Sequence, residues 1–179
     1  MNKFSQFSQD EQLFLGSTAY RVGVWISNSD DNKRSKFDDK REEQALEKAI
    51  AHMAGLHRKM PFAATVMKFI QEQKSQWGMW EDNTSEAVVL EDTQKAIDLM
   101  RSRNLDKELR QYKHAVWQTG LIVAQAYGEH IDPDNEMHVD RFFAWLGSFI
   151  FAPKMAKSPE NMSAKEKTAL KKLRAVLKN

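Results

Sequence analysis

Apolar positions recur along this 179-residue chain at the three-to-four-residue spacing of helices, and no stretch competes with the two-residue spacing of strands. Leu13, Phe14, Ala19, Tyr20, Val22, Gly23, Val24 and Ile26 keep an apolar face from a capping box at Ser8 and Glu11 to about Asn28. In such a box the Ser oxygen accepts from the third helical amide, and the Glu carboxylate accepts from the amide of the cap. A second box, Asp39 with Glu42, opens a helix carrying Leu46, Ala49, Ile50 and Met53. It ends before Pro61, because proline disfavours helical geometry in the residue ahead of it. A third helix covers about 61–76 through Phe62, Val66, Phe69 and Ile70, and "WGMWEDNTS" reads as a connection packed by Trp77 and Trp80. Two more are expected over 85–103 and 106–127, parted near Asn104. Asp132 then caps a helix with Pro133 in its first position, a favoured place for proline. Phe142, Phe143, Leu146, Phe149 and Ile150 line that helix as far as Pro153. Ser163 and Glu166 start a last amphipathic helix through Leu170, Leu173, Val176 and Leu177.

The fold class expected is therefore all-α, a compact bundle of about six to eight helices. Residues 1–152 form the helical body, and 153–179 form a linker and a basic helix that docks on it through Leu170, Leu173 and Leu177. Seven glycines and four prolines are few enough to leave these helices intact. Trp25, Trp77, Trp80, Trp117 and Trp145 read as core residues, as do Met53, Met60, Met67, Met79 and Met100.

The absence of cysteine excludes disulfides, thiolate metal sites and cysteine nucleophiles, and suits a cytoplasmic address. "MNKFSQFSQDEQ" lacks the apolar core of a signal peptide. "FFAWLGSFIFA" (142–152) falls short of the roughly 20 residues of a membrane span. The net charge of +2 gives no ground for a nucleic-acid partner, so a protein partner is the expectation. That charge is unevenly placed. Residues 153–179 hold eight basic and two acidic residues, or +6, which leaves −4 on the first 152.

Acidic residues gather in two connections. Asp30, Asp31, Asp38, Asp39, Glu42 and Glu43 form the first group; Glu129, Asp132, Asp134 and Glu136 form the second. Oxygen-only ligands would select a hard divalent cation, Ca²⁺, Mg²⁺ or Mn²⁺, whose charge relieves the repulsion among them. The same acids also serve as helix caps, favoured by the helix dipole without any ligand. Lys33, Arg34, Lys36, Lys40 and Arg41 could neutralise the first group as surface ion pairs. An EF-hand is excluded: counting from Asp31, Lys33 and Lys36 occupy positions that need an oxygen ligand and a glycine. His52, His57, His114, His130 and His138 form no Glu-x-x-His or His-Glu-x-x-His pattern. No Gly-rich phosphate loop or Gly-x-Ser-x-Gly elbow is present, and no organic cofactor is implied.

The two acidic connections belong to an internal repeat. "GVWISNSDDNKRSKFDDKREE" (23–43) and "GLIVAQAYGEHIDPDNEM" (120–137) share a glycine, an apolar helix end, an acidic connection, and a bulky apolar residue before an aspartate. Gly23 matches Gly120, Phe37 matches Ile131, Asp38 matches Asp132 and Glu42 matches Glu136, with the first connection three residues longer.

This arrangement resembles the TerB-like family, the helical domain of tellurite-resistance protein TerB and its relatives. The resemblance rests on two helix–acidic loop–helix units over about a third of the chain. It departs from the family pattern in having no glycine after Asp30 or Asp31, and Tyr127 in place of aspartate before Gly128. It implies a non-enzymatic binding or scaffold module of bacterial stress response. Paired acidic loops would hold a divalent cation through Asp30, Asp31, Asp38, Glu42, Glu129, Asp132 and Glu136. Two other readings of the same residues stand beside it: a metal-dependent phosphoester hydrolase, and an adaptor acting through the basic C-terminal helix.

Overall fold

Ser8 and Glu11 start the first long helix as their spacing predicts. The Ser8 amide donates to Glu11 Oε2 at 2.7 Å, and the Glu11 amide donates to Ser8 Oγ at 3.3 Å. The structure is a computed structural model that describes residues 3–29, 36–126 and 162–179, with the side chains of 36–42 and 126 outside that description. Among the described residues all regular structure is helical. A 3-10 turn (Lys3–Gln6) precedes α1 (Gln9–Asn28), followed by α2 (Lys36–Ala54), α3 (Pro61–Glu72), α4 (Trp77–Glu81), α5 (Glu86–Ser102), α6 (Asp106–Ala126) and α7 (Ala164–Lys178). Asn104 separates α5 from α6 with φ 55°, the left-handed conformation that asparagine tolerates at a helix end.

Three boundaries differ from the sequence pattern. Helix α2 begins at Lys36, so Asp38 and Asp39 lie in its opening turns instead of capping it from outside. The dipole of that helix favours acids there without a capping bond. Helix α3 stops at Glu72 and gives way to a 3-10 turn, Lys74–Gln76. "WGMWEDNTS" then contains the short helix α4, in which Trp77 and Trp80 are buried. The Trp77 indole donates to the Ile70 carbonyl at 3.0 Å, and both rings pack on Tyr20 at 4.8 and 5.7 Å between centroids. These contacts hold the turn helical despite its length. The helix expected after Pro133 lies outside the described residues.

Directions follow from paired contacts. The Tyr112 hydroxyl donates to the Leu15 carbonyl at 2.8 Å, joining the middle of α1 to the first half of α6. Further along both, a Cβ on Gly23 would meet Thr119, and a Cβ on Gly120 would meet Val22 and Ile26. Contacts advance in the same direction on both helices, so α1 and α6 run parallel. Each glycine faces the residue just before the other, a local two-fold relation. Helix α2 descends from the end where α1 stops. Its own end adjoins α3, whose Phe62 amide donates to Gln111 in the first half of α6 (2.9 Å), while Phe4 beside the start of α1 stacks edgewise on the Phe62 ring. Helix α5 runs opposite to α1, tied by Arg21 to Asp92 at 2.9 Å and by Arg103 to Glu11. Helix α7 follows α5 through Lys172 to Glu86 at 2.6 Å and Asn179 to Gln94 at 3.4 Å. It buries Ala169, Leu170 and Leu173, with Leu173 against Gly120, and leaves Val176 and Leu177 half-buried.

The glycine contact makes an unequal prediction. A Cβ at Gly23 would lie 2.6 and 3.2 Å from the two methyls of buried Leu46 and 3.1 Å from Thr119, so rotating Leu46 exchanges one clash for the other. Gly23→Ala is expected to lower the unfolding free energy by about 1–3 kcal/mol in urea denaturation, the usual cost of overpacking. At Gly120 the nearest atoms are 3.2–3.4 Å away. There the helix-propensity gain of about 1 kcal/mol offsets the strain, so Gly120→Ala stays near wild type. A Gly23→Ala protein stabilised like an exposed helical glycine would contradict the close α1–α6 contact.

Candidate functional site

Because α1 and α6 are parallel, the chain leaves both at one end of the bundle. The Gly120 contact lies level with Val22 and Ile26. From there α1 rises about 6 Å to Asn28 and α6 about 9 Å to Ala126, at 1.5 Å per residue. Packed helix axes lie about 8–10 Å apart, so the two exits are close neighbours. The starts of α2 and α7 lie at this same end, as the directions of those helices require. The backbones of Asp38 and Glu42 lie in the opening turns of α2, at the shared end. Asp30 and Asp31 in the first connection, and Glu129, Asp132, Asp134 and Glu136 after α6, lie outside the described residues, as do the side chains of Asp38, Asp39 and Glu42. Thus the structure brings together the ends of α1 and α6 and the start of α2.

Glu43 is the one member of the first group whose side chain is described, and it is exposed on α2. With Glu47 one turn on, it faces Tyr20 across the α1–α2 surface. The Tyr20 hydroxyl donates to Glu81 Oε1 at 2.6 Å. Burial first, then the Glu81 hydrogen bond and the charges of Glu81, Glu43 and Glu47, push the Tyr20 pKa far above its ordinary value. The neutral Tyr20 phenol is therefore favoured, and it donates to Glu81. Lys74 pairs with Glu47 and lies 5.5 Å over the Trp77 ring, which balances part of that charge. Among the described residues no group of three or more His, Asp or Glu side chains is placed to hold a metal.

Two features of the site region escape a reading of periodicity. Arg21 is buried within the apolar run "YRVGVWI", where its guanidinium donates to Asp92 and to the Asn83 carbonyl at 3.4 Å. Removing one partner of such a pair strands a charge, so it fixes the α4–α5 connection on α1. A lone cation inside an apolar helix run is the sequence signal that marks it. The second feature lies on α6, where His114, Gln118 and Gln125 occupy one face. Gln118 and Gln125 are 3% and 4% exposed, yet among the described residues neither side-chain carbonyl oxygen has a hydrogen-bond partner, and the same holds for His114 Nε2. Gln125 stands in the last turn of α6, at the shared end.

The chain matches no family model, no curated protein and no solved structure. Function must be argued from the residues themselves.

Burial dictates how the fold responds to mild acid. Desolvation lowers the pKa of His114 and of His52 below the ordinary 6.5. The unfolded chain therefore binds more protons as pH falls through 6.5. The stability held by the neutral imidazoles is complete above that value and lost as pH falls toward their folded-state values. The Glu11 carboxyl, lowered chiefly by the Ser8 amide, loses its contribution only below its ordinary 4.5. The melting temperature is expected to fall between pH 7 and 5.5, and His114→Gln to reduce that fall. A melting temperature flat over this interval would contradict the burial of both rings.

Proposed function

We propose that this protein is a TerB-like binding module of bacterial stress response, in which the two acidic connections hold one divalent cation at the shared end of α1 and α6. The observation that carries this reading is the parallel, locally two-fold packing of α1 and α6 at Gly23 and Gly120. Two repeats related in this way would present Asp38 with Glu42, and Asp132 with Glu136, at the same end of the bundle. Asp30, Asp31 and Glu129 would complete an oxygen-only shell suited to Ca²⁺, Mg²⁺ or Mn²⁺. The unpartnered carbonyl oxygen of buried Gln125 supports the reading independently, since a neutral oxygen is a regular member of such shells. Bound cation would order the two connections, which then present a surface to a protein partner. Neutralising clustered carboxylates is the free-energy source for that ordering.

Calorimetry tests the claim with each of the three ions on the purified chain. A single binding event accompanied by a rise in melting temperature is expected for at least one ion, because binding to the folded state alone stabilises it. Asp38→Asn/Asp132→Asn should abolish both signals, and Gln125→Leu should weaken binding without unfolding the protein. Absence of both heat and thermal shift with all three ions would leave the acids as solvated helix caps and overturn the cation site.

A further inference from the structure

The last helix carries a feature that the cation reading does not use. Lys167, Lys171, Arg174 and Lys178 recur at intervals of four, three and four residues on α7, and all four are exposed. At 100° per residue they fall within about 60° of arc and extend over about 16 Å of helix. Among the described residues none of the four makes an ion pair or side-chain hydrogen bond, whereas Lys172 on the adjoining face is engaged with Glu86. No acid interrupts the stripe. The opposite face of α7 is spent inside the bundle by Ala169, Leu170 and Leu173.

We infer that this stripe is a contact surface for the phosphodiester backbone of a nucleic acid, bound without sequence preference. Three polyanions could meet it, and the physics separates them. An acidic protein segment would form exposed ion pairs, which are individually weak because both long side chains lose freedom. An anionic membrane would need an apolar anchor beside the charges, and the apolar face of α7 is already buried. A nucleic-acid backbone carries a condensed counterion layer, and its release drives binding to a straight row of cations. Small overall charge is no obstacle, because this contact depends on where the cations stand and not on their sum. Phosphate contacts of this kind position a protein but read no bases.

Fluorescence anisotropy with a labelled 20-base-pair duplex of arbitrary sequence tests the inference on the full chain. Binding is expected at 50 mM salt and should weaken by about 150-fold at 200 mM, the dependence of four phosphate contacts. Replacing Lys167, Lys171, Arg174 and Lys178 together by Gln should abolish binding while the helical circular dichroism is retained. Replacing exposed Arg58, Lys68, Lys107 and Arg110 by Gln removes the same charge from other faces and should leave affinity within about threefold. An equal loss in that control would show attraction by net charge alone and would overturn the stripe. So would failure to bind the duplex at 50 mM salt, or tighter binding to phosphatidylserine vesicles or to a glutamate-rich helical peptide. Because the four cations are separate from the carboxylates proposed for the cation, calorimetric failure of that site would leave this outcome unaffected.

Discussion

The close approach of α1 and α6 is the constraint on which the rest of the bundle depends. At position 23 only glycine lets the α1 backbone come this near to Leu46 and Thr119, while at position 120 the contacts with Val22, Ile26 and Leu173 are tight but leave room for a methyl group. The crossing fixes three things together. It sets α1 and α6 parallel, seats α2 against one side of the pair, and gives α7 its place on the other. Parallel neighbours cannot be joined by a short turn, so the chain must travel down and back between them. Helices α2, α3 and α5 supply that return path, and each buries an apolar face against the central pair in doing so.

Polar contacts then fix how those outer helices sit. Arg21 ties α1 to Asp92 and the Asn83 carbonyl, Tyr20 ties it to Glu81, and Arg103 ties the far end of α5 to Glu11 and the Gln6 carbonyl. Hydrophobic burial alone is non-directional and would allow an outer helix to slide by a turn. A buried guanidinium paired with the Asp92 carboxylate does not allow it, because sliding would strand both charges. The ring packing of Phe4, Phe7, Phe62 and Phe69 closes the end opposite the exits of α1 and α6. The two ends of the bundle thus differ in kind: one is an aromatic plug, and at the other α1 and α6 end while α2 and α7 begin.

Much of the helical layout was legible because its signals are local. The Ser8–Glu11 and Ser163–Glu166 boxes, the break at Asn104 and the stop before Pro61 all act within a few residues, and the structure keeps them. The start of α2 was misjudged, since a carboxylate in a first turn and one at a cap leave the same trace in sequence. The helical turn at Trp77–Glu81 was missed because Tyr20, fifty-seven residues earlier, holds it. The matched glycines at 23 and 120 were visible as a repeat, but nothing local says that they would meet. Relative direction is a property of the crossing, and a crossing is written in two distant segments. The unpartnered oxygens of Gln118 and Gln125 were equally invisible, since burial is decided by what packs against α6.

Charge completes the account of that asymmetry. Helices α2 and α7 both begin at the shared end, and each points the positive end of its dipole there. Carboxylates in the first turn of such a helix are partly compensated by its backbone. That compensation reaches only the first turn of a helix. Asp38 can draw on it from the opening turn of α2, whereas Asp30 and Asp31 stand five or more residues ahead of that helix. The dipole thus accounts for the acids in the opening turns of α2 and does not extend to those of the preceding connection. The exposed row of Lys167, Lys171, Arg174 and Lys178 runs along the outer side of α7, away from the face that buries Ala169, Leu170 and Leu173. Lys172, on the adjoining face, instead joins the tail to the acidic body through Glu86.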